Sequence, residues 1–328
     1  MTNTPKKPLP ALQPVDDTGG VLKPEHVDSV VAAATESHAP KTLRSYRTAW
    51  NQFVGWCEEQ GYESLPAAPE TVAAYLAHRA DAGLSRSALS IDRAAVRYNH
   101  EVAGLDPTGS AGVKRVMRGL RRRAAGTEQK QATGIRANDL GAIRATAMHP
   151  RTGPQGLRRE SAETAAKRGR VDIALISTMR DALLRRSEAV ALRWSDIEFR
   201  DDGTGRLTIR HSKTDQEGEG AVQFISKDSA TALKAIRGDA EDDERVFGLR
   251  SGRAVSQRIA AAARAAGLKG RFSAHACRVG MALDLVAAGA SVSAVQVAGR
   301  WASARMPATY ARAELAGQGA VAQFYAAK

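Results

Sequence analysis

The sequence predicts a mainly α-helical protein of two domains, with one small β-hairpin or sheet in the second. Three observations carry this. Through most of the chain apolar residues recur at spacings of three and four, the period of a helix with one buried face. The period shortens to two only in "GRLTIR" (205–210) and "AVQFIS" (221–226), which flank the polar, glycine-containing "HSKTDQEGEG". A length of 328 residues exceeds the roughly 100–200 of a typical domain, and "AAGTEQKQATG" (124–134) has no apolar period and reads as a linker.

Taken in order, residues 1–38 carry Pro5, Pro8, Pro10, Pro14 and Pro24, which interrupt any helical pattern and predict a flexible arm. Lys6 and Lys7 precede no apolar core of the kind a signal peptide needs. A helix opens near Lys41, with Leu43, Tyr46, Trp50, Phe53, Val54 and Cys57 on its inner face. Helical segments at about 70–82, 86–103 and 110–124 complete a first domain over 39–124. In the last of these, Val113, Val116, Met117 and Leu120 form one stripe while Lys114, Arg118, Arg121 and Arg122 stand opposite. A face of one sign suits phosphates or a DNA groove; a merely solvated charged face is the ordinary alternative.

After a linker over 125–134, the second domain, 135–328, opens with helical patterns at about 137–148 and 171–193. The basic stretch between them, 149–170, reads as a structureless surface loop or insertion. Beyond the two strands the pattern is helical again from Ser229, ending in the alanine-rich "ELAGQGAVAQFYAAK".

Composition narrows the function. Lys and Arg total 48 against 35 Asp and Glu, a net charge of +13 with a pI near 10.1, so the expected partner is a polyanion, above all nucleic acid. The chain has no apolar run of about 18 residues to cross a bilayer. Its two cysteines, Cys57 and Cys277, form no paired motif, which argues against a disulfide scaffold or a zinc finger. A cytoplasmic, nucleoid-associated protein directed at DNA or RNA is the expectation.

Four segments suggest chemistry. "DALLRRSEAVALRWSDIEF" (181–199) sets Arg185 after a leucine pair and before Glu188; the polar turn holds Lys213 and, just before it, His211; "SAHACRVGMALDL" (273–285) puts His275 and Arg278 three apart; "AGRWASARMPATYAR" (298–312) holds Trp301 and Tyr310. Residues three apart share a helix face, so His275 and Arg278 can address one ligand. Singly, each has an ordinary reading: Arg185 bridging Glu188, Lys213 solvated, Trp301 in the core. Tyr325 rivals Tyr310, although packing or an interface is its more natural use.

The order Arg, turn Lys, H-x-x-R, Trp, Tyr resembles the active site of the tyrosine recombinases, the phage-integrase family, over roughly residues 41–328. Two positions depart from the commoner pattern: Arg186 stands where an apolar residue is usual, and Trp301 where histidine is frequent. The resemblance implies Tyr310 as nucleophile, forming a 3′-phosphotyrosyl ester with DNA. Nearby cations are expected to favour its phenolate. Arg185 and Arg278 would grip the non-bridging oxygens with planar, permanently charged forks, with Glu188 ordering Arg185. His275 would donate to the phosphate or move the nucleophile's proton, Trp301 would donate its indole N–H, and Lys213 would protonate the departing 5′ oxygen. Such a set supplies the charge stabilisation that other nucleases take from magnesium, so the resemblance implies no metal and no cofactor.

The same resemblance implies a C-shaped clamp around double-stranded DNA carrying inverted-repeat recombination sites. A homotetramer would act through a Holliday junction, each C-terminal segment docking on a neighbour. Two other classes stay open: a type IB topoisomerase-like relaxing enzyme, and a non-catalytic sequence-specific DNA-binding protein.

Overall fold

The computed structural model describes residues 38–101, 104–123, 133–152, 159–210, 220–317, 319, 322, 324 and 325. Two compact units divide between Gln129 and Lys130.

Among the described residues the first unit packs four α-helices: α1 (Pro40–Gln60), α2 (Pro69–Asp81), α3 (Arg86–Glu101) and α4 (Ala111–Arg123). Pro40 and Pro69 stand at helix starts, where a missing N–H costs nothing, and Gly61 ends α1 in the left-handed conformation. Trp50, Phe53 and Cys57 from α1 meet Val72, Tyr75 and Leu76 from α2, Leu89 and Val96 from α3, and Val113, Met117 and Leu120 from α4. Each fully buried side chain of this size contributes about 1.5–3 kcal/mol. The core also holds a histidine: His100 accepts from the Ala67 N–H at Nε2 (2.9 Å) and places Nδ1 2.8 Å from the Val96 carbonyl. Both ring nitrogens are thereby satisfied in the neutral form.

The second unit is built round α6 (Ala162–Asp181), flanked by α5 (Ala137–Thr146), α8 (Lys227–Arg237), α9 (Gly252–Ala265) and α10 (Ala274–Ala287). Short helices α7 (Arg186–Ala191), α11 (Val292–Gly299), α12 (Arg305–Tyr310) and α13 (Arg312–Gly317) complete it. A three-stranded antiparallel sheet, β1 (Ile197–Phe199), β2 (Gly205–Ile209) and β3 (Ala221–Ile225), runs in the order β1-β2-β3. Leu207 lies opposite Ile197 on one side and Gln223 on the other. The inward residues of β2 join the core with Ile135, Leu175, Met179, Trp194 and Leu233.

Three expectations need correction. The stretch 149–170 is not structureless throughout: Ser161 accepts from the Thr164 N–H (3.2 Å) and starts α6 there. Gly169 sits inside that helix at a close approach, where a β-carbon would strike the Ala147 carbonyl. The single helix expected over 171–193 is two, α6 and α7, parted at Leu183, whose φ of 45° no right-handed helix admits. Strand β1 falls in a segment where no strand was expected.

A charged cluster takes the place of the expected loop. Asp172, with no exposed surface, meets Arg151 (2.9 Å), Arg168 (3.1 Å) and Arg258 (2.5 Å), and Arg168 also reaches Glu160 (2.9 Å). This ties the segment before α6 to α6 and α9. Among the described residues no helix is long and apolar enough to cross a membrane.

Candidate active site

The site in the second unit assembles from three places. The break after α6 leaves Arg185 extended at the start of α7, where its backbone N–H donates to Glu188 Oε2 (2.8 Å) and its Nη1 to Glu188 Oε1 (2.9 Å). Ser273 caps α10 and sets His275 and Arg278 in its first turns. The turn after α11 delivers Trp301, and α12 ends on Tyr310.

Gly280 brings α10 close to the start of the unit: a β-carbon there would collide with the Ile135 carbonyl, and the Ile135 N–H donates to Ala276 O (2.9 Å). The turns carrying His275 and Arg278 are thus held against the chain where it enters the unit. Gly299 does the same for Trp301, whose ring occupies the space a side chain would need.

Five sequence-selected residues converge. Nε2 of His275 lies 2.8 Å from Oη of Tyr310, with the rings edge to face. Arg278 is 1% exposed; its guanidinium stacks 4.6 Å from the Trp301 ring centre and donates to the carbonyls of Leu183 and Gly299. The Trp301 and Tyr310 ring centres are 6.2 Å apart. Arg185 joins through its Nη2, which donates to Arg300 O (2.8 Å). Glu188, buried, is the carboxylate of the group, and both Arg185 and Arg300 (2.7 Å) bind it.

Lys213 and His211 lie outside the described residues. Lys114, Arg118, Arg121 and Arg122 are not part of this cluster; they are exposed on α4, in the first unit. Val113, Met117 and Leu120 are buried on the opposite face.

Arg278 pulls the Tyr310 pKa down, as expected of a nearby cation, but burial raises it by more, so the phenol stays protonated in this state. Its proton has somewhere to go. Surrounding protein, and after it Arg278 and Arg185, hold the His275 pKa below the ordinary value, leaving a neutral imidazole at pH 7. With its own proton on Nδ1, that ring accepts the Tyr310 O–H at Nε2. Burial and the neighbouring Arg185 and Arg300 press the Arg278 pKa down to about 10, yet it remains cationic. Burial works to raise the Glu188 pKa, but Arg300 first and then Arg185 hold it below the usual carboxylate range.

Sequence reasoning missed Arg300. Its side chain reaches Glu188 and the carbonyls of Ala182 (3.2 Å) and Leu183 (3.3 Å). No spacing rule signals a contact across more than 100 positions.

A phenol hydrogen-bonded to a neutral imidazole, backed by fixed guanidinium groups on a strongly basic chain, is an arrangement suited to phosphoryl transfer on nucleic acid. Comparison with known proteins gives the family. Residues 159–316 match the phage integrase family, and residues 33–103 match the phage integrase N-terminal SAM-like domain. The recombinase Cre of Escherichia phage P1 is 26% identical over 93% of this chain and 92% of its own length. An integrase/recombinase XerD homolog of Selenomonas ruminantium is 29% identical over 62% of this chain, a match spanning only 56% of that relative.

Solved structures agree on the fold. XerH site-specific recombinase bound to a palindromic difH substrate superposes with a TM-score of 0.59 at 14% identity, over 92% of this chain and 83% of that one. A lambda integrase dimer bound to a core site gives 0.54 at 16%, over 88% and 93%. The chain belongs to the phage integrase family, the tyrosine site-specific recombinases.

Proposed function

We propose that this chain is a self-sufficient recombinase that cuts and rejoins double-stranded DNA at paired inverted-repeat sites, acting as a homotetramer among the DNA of the cytoplasm. The observation that carries the chemistry is the 2.8 Å contact between Tyr310 Oη and His275 Nε2, set against Arg278 and Arg185. His275 takes the phenol proton as Oη attacks phosphorus in line; a P–O bond forms to Tyr310 and the bond to the 5′ oxygen breaks. Arg185 and Arg278 hold the charge that gathers on the non-bridging oxygens. Trp301 fixes the plane of Arg278 and offers its indole N–H to the same phosphate.

Lys213, which lies between β2 and β3 in the sequence, gives the leaving 5′ oxygen its proton. The 5′-hydroxyl of a partner strand then attacks the phosphotyrosine, releasing Tyr310 and passing through a Holliday junction. Binding rests on α4, where Lys114, Arg118, Arg121 and Arg122 face a phosphate backbone, and on both units engaging one duplex. The segment after α13 docks on a neighbouring subunit.

The test uses fragmented genomic DNA of the source organism, mixed with the protein in EDTA and denatured in SDS, with covalently attached fragments sequenced. Wild type is expected to give adducts at a repeated sequence, and Tyr310→Phe none. Adducts that persist in Tyr310→Phe move the nucleophile elsewhere, with Tyr325 next. Relaxed plasmid without recombinants indicates a topoisomerase. Binding without any adduct in wild type indicates a non-catalytic DNA-binding protein.

A further inference from the structure

Among the described residues only Leu183 and Arg300 adopt positive φ without being glycine, at 45° and 54°. The two meet: Arg300 Nη2 donates to the Leu183 carbonyl (3.3 Å), which also accepts from Arg278. Strained backbone persists where surrounding contacts over-determine it, and it gathers at functional sites. Arg300 closes α11 in the left-handed conformation, a position that glycine ordinarily fills. A long cationic side chain there needs a reason.

We infer that Arg300 is a positioning residue of the proposed cleavage reaction, holding Glu188 and through it the guanidinium of Arg185 in place for the scissile phosphate. Three observations support the assignment. Its side chain is only 11% exposed, and its terminal nitrogens are spent on protein acceptors: Glu188 Oε2 at 2.7 Å and the carbonyls of Ala182 and Leu183. Its own carbonyl accepts from Arg185 Nη2 at 2.8 Å. Glu188 is shared, taking the Arg185 backbone N–H and Nη1 on one side and Arg300 on the other.

Arg300 therefore grips Arg185 twice, by its backbone and through a carboxylate. Glu188 also answers charge as well as geometry. With both arginines present its negative charge is divided between two cations. With Arg185 alone it would draw that guanidinium inward and spend on a protein carboxylate the charge that a phosphate requires. The turn that Arg300 strains also begins Trp301, so the two sides of the site are joined at one residue.

The inference rests on the proposed function, and the experiment separates the two. Arg300→Gly suits the backbone conformation and keeps the carbonyl, so it removes the side chain without disturbing the turn. Adduct formation is measured in a single turnover on the DNA fragment captured by wild type, and non-covalent binding is measured in the Tyr310→Phe background. Arg300→Gly leaves buried Glu188 with one cation fewer and is expected to melt below wild type while staying folded at the assay temperature. There it is expected to bind the fragment equally, while its cleavage rate falls about 10- to 100-fold, the scale of a misplaced reacting group. Because Arg300 acts through Glu188, Arg300→Gly combined with Glu188→Gln is expected to lose no more than the worse of the two single variants.

A wild-type cleavage rate in Arg300→Gly, additive losses in the double variant, or a loss of rate explained wholly by weaker binding or by collapse of the thermal midpoint would each overturn the inference. Failure of wild type to form any adduct overturns the proposed function itself, and this inference with it.

Discussion

Removing the imidazole from the nucleophile is the most direct perturbation of the site. A phenol of ordinary pKa, about 10, is phenolate in roughly one molecule in 1,000 at pH 7, and burial makes that fraction smaller still at Tyr310. Without a base, cleavage waits for this minor form. With His275 Nε2 at 2.8 Å, the proton leaves as the bond to phosphorus forms. His275→Ala is therefore expected to slow single-turnover adduct formation by about 10³-fold at pH 7, near 4 kcal/mol at about 1.4 kcal/mol for each tenfold step and within the range of general-base catalysis.

The pH profile carries the sharper test. Since the His275 pKa is depressed, wild type is expected to lose rate only as pH falls below about 6.5, the ordinary imidazole value. The variant's rate is expected to rise about tenfold per pH unit from 7 to 9, because solution hydroxide then supplies the phenolate. A variant slowed less than tenfold, or one whose deficit stays constant between pH 7 and 9, refutes proton removal by His275.

Three other expectations follow from the structure. Asp172→Asn removes the carboxylate that Arg151, Arg168 and Arg258 share, leaving Arg168 its pair with Glu160; a broken buried pair costs about 3–5 kcal/mol, and calorimetry should find the second unit's transition lowered by about 6–20 °C at 2–4 °C per kcal/mol. Burial lowers the His100 pKa, so its contribution to stability is complete above the unfolded value of about 6.5 and is lost as pH falls below it, where the unfolded chain takes up the proton first; thermal midpoints at pH 7.5 and 5.5 should differ in wild type more than in His100→Gln. Alanine at Lys114, Arg118, Arg121 or Arg122 should weaken DNA binding uniformly across sequences and reduce the slope of log affinity against log salt by about one each, read by titration from 50 to 200 mM salt.

The sequence was most legible where one rule governed a segment. The helix carrying Trp50, Phe53 and Cys57 follows from apolar spacing alone, and β2 and β3 from their alternation. The grouping of Arg185, His275, Arg278, Trp301 and Tyr310 came from their order along the chain, which the resemblance to a family made readable. Local rules failed where a distant contact set the backbone. Gly169 looks like a helix breaker until Ala147 is seen to need its space, and Leu183 looks helical until its carbonyl is seen receiving Arg278 and Arg300. Arg300 was invisible for the same reason, since its partners lie on the far side of the fold.

One contact also fixes what counts as a working unit. Tyr310 reaches His275 of its own chain, with Arg278 and Trp301 of that chain beside them. On the proposed mechanism nucleophile and base are thus inherited together. In the proposed tetramer, a protomer that lacks the phenol and one that lacks the imidazole are then expected not to lend each other the missing part, so the two defects should fail to complement, and the fraction of strands opened should follow the fraction of intact chains.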